Sequence, residues 1–244
     1  MKKDIIDILD LKKGDVLSIV GSGGKTTTMY SLGEKLKKNN KVLLTTSTKI
    51  GRPKDNQGDK IYGCIDSYLS DRIANVGSYI IGNTIKGKGK FAAISNEEFD
   101  LIKDDFDICI VEADGCKNLP LKGWRDKEPV IFDKTNKTLG LFSIKVVDKE
   151  PTYDLVFAIE ELEKITGKFD IISKEIFEKI ILSEKGIFKN SLGEKFIFFN
   201  QADTIEEKNK AIELINYLKS NKEIEDMNIN FFYGSVKKDE FYEG

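Results

Sequence analysis

VLSIVGSGGKTTTMYSLGEKLKK, residues 16–38, changes character twice within one short stretch. Residues 16–20 are an apolar run rich in β-branched side chains, the pattern of a buried strand. Gly21-Ser22-Gly23-Gly24 follows, a run too flexible for the interior of a helix or strand. From Lys25 onward Met29, Leu32 and Leu36 recur at helical spacing, so residues 25–38 read as a helix with one apolar face. KVLLT, residues 41–45, supplies a second strand. Strand, glycine turn, helix and strand in roughly 30 residues make a βαβ unit, which predicts parallel pairing.

The alternation continues along the chain. Residues 4–11 read as a short helix, Ser78–Ile81 and 107–111 as strands, and 138–147 as one or two strands. Helices are expected near 155–165 and 173–183. Residues 196–199 and 229–233 read as strands, the latter as the last one. Ser95 with Glu98, and Thr204 with Glu207, are capping boxes that open helices reaching about Lys103 and Lys219. The expectation is an α/β fold, a mostly parallel sheet flanked by helices in the manner of P-loop NTPases, as one nucleotide-binding domain over residues 1–244. The least regular stretches are 51–63 and 112–137, and the second is expected to be an irregular substrate or partner loop.

Composition narrows the chemistry. The 244 residues are 40% hydrophobic, enough for a full core, and 33% charged, with 39 basic against 41 acidic side chains. A net charge of −2 lacks a nucleic-acid footprint. The absence of histidine removes Ser-His-Asp and Cys-His catalysis and His-based metal sites. Cys64, Cys109 and Cys116 form no C-x-x-C, which predicts a reducing, cytoplasmic setting, and no signal-type leader is expected. No apolar run approaches the ~20 residues of a membrane helix.

Gly21-Ser22-Gly23-Gly24-Lys25-Thr26 stands where a phosphate loop stands, after a strand and at the start of a helix. Main-chain N–H groups, freed by glycine, converge on one anion, and the helix amino end adds about half a positive charge. Lys25 would reach terminal phosphates, Thr26 would ligate Mg²⁺, and Thr27 sits in the same first turn. The spacing is the shorter G-x-x-G-K-T, because Ile19 occupies the position of the first glycine of the longer motif. The strand 107–111 delivers Glu112 and Asp114 to the sheet's carboxyl edge, where they suit a Mg²⁺ ligand plus a water-positioning or general-base group. Thr45, Thr46, Ser47 and Thr48 end the second strand at that edge and are candidate donors to phosphate or metal-bound water.

Two later strand ends carry candidate base-reading residues. Asn200-Gln201-Ala202-Asp203 resembles the N-K-x-D of GTPases, with Gln201 in place of the lysine, and Gly234-Ser235-Val236-Lys237 resembles their S-A-K element. Together they favour GTP slightly over ATP.

VGSGGKTTT (20–28), LLTTSTKI (43–50), VEADG (111–115), LPLKGW (119–124), EPVI (128–131) and NQAD (200–203) resemble the YqeC-type selenium cofactor biosynthesis proteins, accessory to selenium-dependent hydroxylases. The resemblance implies a P-loop nucleotide-binding protein that assists a selenium-dependent molybdenum hydroxylase or its cofactor. It implies too that the basic segment holding Lys122 and Arg125 meets an anionic substrate. Cys116, directly after Asp114-Gly115, replaces a serine common in the family, and the His-Arg pair of many members is missing, the region around Ala158–Glu161 being plain. Cys116 is thus placed for selenium or sulfur chemistry or is an inert small residue. Three functions fit: a Mg²⁺-dependent nucleoside-triphosphate hydrolase or phosphotransferase, a nucleotide-gated metallochaperone or partner switch without catalysis, and a ligase like the Mur ligases, whose loops also read G-x-x-G-K-T-T but whose chains are much longer.

Overall fold

Segments such as ICIVE and EKFIFFN are apolar at successive positions because helices cover both faces of the sheet they enter. The computed structural model describes residues 1–244 except Lys86 and Lys88. Its main sheet is 10-stranded, built from β1 (Lys2–Lys3), β2 (Val16–Gly21), β3 (Lys41–Thr46), β4 (Lys60–Tyr62), β5 (Gly77–Ile81), β6 (Ile108–Glu112), β7 (Lys137–Ser143), β8 (Glu194–Asn200), β9 (Ile229–Ser235) and β10 (Glu240–Glu243). Their spatial order is β1-β10-β9-β8-β7-β2-β6-β3-β5-β4. All neighbours run parallel except β10, which is antiparallel to both β1 and β9.

The helices are α1 (Ile5–Ile8), α2 (Lys25–Leu36), α3 (Ile65–Asp71), α4 (Asn96–Ile102), α5 (Ile159–Thr166), α6 (Lys174–Leu182), α7 (Ile205–Lys219) and α8 (Lys222–Asp226). Met29, Leu32 and Leu36 of α2 pack with Leu17, Ile19, Ile110 and Phe198. Ile197, Phe199 and Phe142 meet Leu162, Phe177, Leu214 and Ile224 of α5 to α8. Cys109 and Val111 pack with Tyr68 of α3 and Phe99 of α4. Successive residues of one strand therefore enter different clusters.

After β2 the chain crosses β6 to reach β3, whereas after β7 it runs the other way to β8. The adjacent strands β2 and β7 thus bracket a switch point, beyond whose carboxyl ends open α/β sheets hold their ligands. The register lines up chemistry there. Ile19 lies opposite Glu112, Gly21 opposite Leu141, and Ser143 opposite Asn200.

Several expectations need correction. The last strand is β10, whose four residues are too few for a clear periodicity. The helix expected from 155 begins at Ile159, because Val156–Phe157 pair in parallel with Leu121–Lys122. That same pairing puts a short strand inside 112–137, one of the two stretches expected to be least regular. The second half of 138–147 is a 3-10 turn, Ile144–Val146, and 51–63 contains β4. A small sheet of Ile50–Gly51, Asn83–Ile85 and Lys90–Ala92 had no sequence expectation. Among the described residues no helix is long and apolar enough to cross a membrane.

Candidate functional site

Between β2 and α2 the backbone takes conformations that only glycine adopts easily: φ is 93° at Gly21, 83° at Gly23 and 120° at Gly24. There is also no room for side chains. A Cβ at Gly21 would lie 2.4 Å from the Leu141 carbonyl oxygen, and one at Gly23 would lie 2.5 Å from the Ser143 nitrogen. The turn is pinned at its start. Gly21 N–H donates to Asp114 Oδ2 at 2.9 Å, Ser22 N–H to Leu141 O at 3.0 Å, and Ser22 Oγ to Pro120 O at 3.0 Å. Beyond it, the amides of Gly23, Gly24, Lys25, Thr26 and Thr27 find no acceptor among the described residues, and Gly24 gives the helix no side-chain cap. The first N–H to be paired again is that of Thr28, on Gly24 O. A consecutive row of free donors at a helix amino end is an anion cradle.

Beneath the turn lies a buried charge cluster. Lys25 is 2% exposed. Its ammonium donates to Gly21 O at 2.6 Å and Cys116 Sγ at 3.3 Å, and it stands 3.1 Å from Asp114 Oδ1. Lys122 is fully buried, 3.2 Å from Asp114 Oδ2, and donates to Gly115 O and Glu128 Oε2. Trp124 Nε1 donates to Asp114 Oδ2 at 2.9 Å. Burial pushes the Asp114 carboxyl up, but Lys25 and Lys122 more than reverse it and hold it below the usual range. Burial likewise disfavours the Lys25 ammonium, and Asp114, Cys116 and Glu112 together outweigh this and bind its proton more firmly than in free lysine.

Glu112 differs from Asp114. Its Oε2 accepts the Thr26 hydroxyl at 2.7 Å. Burial raises its carboxyl above the ordinary value, and Lys25 and the Thr26 hydroxyl offset this only in part. Of the expected metal ligands, Thr26 and Glu112 are therefore brought together beside the free amides, while Asp114 is turned inward, its Oδ2 accepting the Gly21 amide and the Trp124 indole and its Oδ1 facing the Lys25 ammonium without a hydrogen bond among the described residues. Among the described residues no three His, Cys, Asp or Glu gather into a cage. A hydroxyl plus one carboxylate next to a row of free amides is a donor set compatible with Mg²⁺, which takes one or two protein oxygens and completes its shell from other oxygen ligands and water.

The other candidates fall as follows. Thr45 and Thr46 donate to the carbonyls of Ile81 and Glu112, and Ser47 to that of Val130, so these hydroxyls join strand ends and are not free for phosphate. Cys116 reaches the Lys25 ammonium. Lys122 lies in the interior, whereas the Arg125 guanidinium lies 4.9 Å from the centre of the Phe157 ring. Asn200, Asp203 and Ser235 gather at the ends of β8 and β9: Asn200 Nδ2 donates to Gly23 O at 2.8 Å and Ser235 Oγ to Asp203 Oδ1 at 2.6 Å. Trp124 has no assigned site role in the sequence reading. The signal was an indole in a polar segment, whose N–H needs an acceptor once buried.

A family description, YqeC protein, matches residues 17–160, more than half of the chain. The chain belongs to the YqeC family. A YqeC relative, the uncharacterized protein YqeC of Escherichia coli (strain K12), is 24% identical over 193 residues, covering 76% of this chain and 75% of the relative. The YqeC match takes in the glycine turn, Glu112, Asp114 and the segment through Trp124 and Glu128, and it ends before Asn200, Asp203 and Ser235.

Proposed function

We propose that the turn from Gly21 to Thr26 is a phosphate loop and that the protein is a Mg²⁺-dependent nucleoside-triphosphate-binding protein, a hydrolase or phosphotransferase. The observation that carries this reading is the row of unpaired amides from Gly23 to Thr27 above the Lys25 ammonium. Thr26 and Glu112 would hold Mg²⁺, which supplies charge neutralisation on the phosphate oxygens. Lys25 leaves Gly21 O for a terminal phosphate and trades one oxygen acceptor for a charged one. Glu112, bonded to the Thr26 hydroxyl, would also orient a water of the Mg²⁺ shell. Asp114 acts as a positioning residue, holding the Gly21 amide and the Lys25 ammonium.

The proposed client remains a selenium-dependent molybdenum hydroxylase or its cofactor, as the family resemblance implies. A second reading, a nucleotide-gated partner switch, is favoured by the Asp114 contacts that join the loop to the 115–128 segment. The test is a panel of nucleotides with and without Mg²⁺, read by melting temperature and by phosphate release. Binding with release supports the enzyme, and binding without release supports the switch. Lys25→Ala removes contacts worth about 2–5 kcal/mol and is expected to abolish binding. Unchanged affinity in that variant refutes the loop assignment.

A further inference from the structure

We propose that the carboxyl ends of β8 and β9 form a base-recognition site selective for guanine, with Asp203 as the carboxylate that takes the base's paired N–H donors. The inference rests on the phosphate-loop reading and adds to it the identity of the base.

Asn200 ties this region to the loop. Its side chain is buried and uses both ends: Nδ2 donates to Gly23 O at 2.8 Å, and Oδ1 accepts the Val236 N–H at 3.2 Å. One amide therefore spans the glycine turn and the segment that follows β9, and fixes the distance between phosphate and base positions. Asp203 is fixed from several directions. Ser235 Oγ donates to Oδ1 at 2.6 Å, Lys145 Nζ stands 2.6 Å from Oδ2, Asp203 N–H donates to Glu207 Oε2, and Lys238 reaches its carbonyl. Burial pushes its carboxyl up, and Lys145 and Ser235 pull it below the usual range, so at neutral pH it is an acceptor only.

A carboxylate has about four lone-pair sites. Each Asp203 oxygen carries one side-chain donor, which leaves each with a site for a ligand, on a side chain 23% exposed. Two adjacent acceptors match a base edge with two adjacent donors. Guanine presents such an edge at N1 and the exocyclic amine. Adenine pairs a donor with an acceptor, and uracil sets carbonyls on both sides of its one N–H, so both are repelled. Gln201 explains its own departure from the GTPase pattern. Its Oε1 accepts from Ser143 Oγ, with φ at 67°, which directs it to β7. The lysine at this position is instead Lys145, whose ammonium pairs with the Asp203 carboxylate.

The test is calorimetric titration of the full chain with GDP, ADP and xanthosine diphosphate, each with Mg²⁺. GDP is expected to bind at least roughly 100-fold more tightly than ADP, because a site built for hydrogen bonds rejects an analogue lacking them. Asp203→Asn offers one donor and one acceptor, which complements xanthine, so the order should invert to xanthosine diphosphate over GDP with ADP little changed. Ser235→Ala should cost GDP about tenfold and leave ADP unaffected. Equal GDP and ADP affinity in the parent protein, or an Asp203→Asn variant that weakens every nucleotide alike, overturns the base assignment and leaves the phosphate loop standing. A parent protein that binds none of the three overturns both.

Discussion

Asp114 and Glu112 are two carboxylates separated by one residue, yet their surroundings drive them in opposite directions. Asp114, between two buried ammonium groups, has a depressed pKa. Its contribution to stability is present above the unfolded carboxylate value of ~3.9 and is lost as pH falls through the lower folded value. Asp114→Asn leaves Lys25 and Lys122 buried without a counter-charge between them and should cost about 3–5 kcal/mol in urea unfolding at pH 7. A variant within experimental error of the parent contradicts the network. Glu112 has a raised pKa, so the sign reverses. Its ionisation opposes folding as pH rises from the ordinary value of ~4.3 through the raised one. Glu112→Gln keeps an acceptor for Thr26 and removes the buried charge. It is expected to raise the urea midpoint at neutral pH and to lose Mg²⁺-dependent turnover. A lowered midpoint would show that the charge stabilises the empty site.

At the scale of elements, the sequence carried most of what its periodicity and caps encode. The βαβ unit is legible because the glycine run separates a strand pattern from a helix pattern. α4 and α7 start where Ser95 and Thr204 indicate, and both capping boxes are present with reciprocal hydrogen bonds. In α7 the cap also positions the site, since Glu207 Oε2 accepts from both Thr204 and Asp203 N–H. Thr204→Ala should therefore lower stability by ~1 kcal/mol, measured by thermal unfolding. It should also weaken nucleotide binding if Asp203 reads the base. Strands of two to four residues were not legible, because so short a run shows no periodicity and only pairing with another strand creates it. β10 is the instructive case: Phe241 is 1% exposed and packs against Phe198. Phe241→Ala is expected to cost about 3–5 kcal/mol, against near zero if these last residues merely decorate the sheet edge. At the site, residue types at strand ends were legible. What was not legible was that Asp114 and Lys122 face inward, since the same Asp-Gly turn can present its carboxylate either way.

Over the whole molecule, the buried cluster joins two regions that the sequence separates. The loop contributes the Gly21 amide and Lys25, the 115–128 segment contributes Lys122 and Trp124, with Glu128 bonded to Lys122, and Asp114 touches Gly21, Lys25, Lys122 and Trp124. A phosphate that draws Lys25 away leaves Asp114 Oδ1 without its ion-pair partner and shifts the balance of charge around Oδ2, where the indole N–H is bonded. The chain has a single tryptophan, Trp124, 4% exposed, so this relay has a reporter already in place. Mg²⁺-triphosphate is expected to change the Trp124 emission in a saturable way, with the same midpoint as the rise in melting temperature. Binding at about 100 times Kd adds ~2.7 kcal/mol, roughly 5–10 °C for a chain of this size. Asp114→Asn should separate the two readouts, lowering the emission change more than the affinity. If the parent protein gains thermal stability from nucleotide while its emission stays constant, the loop and the 115–128 segment are not coupled. The switch reading then loses its support, and the hydrolase or phosphotransferase reading is left standing alone.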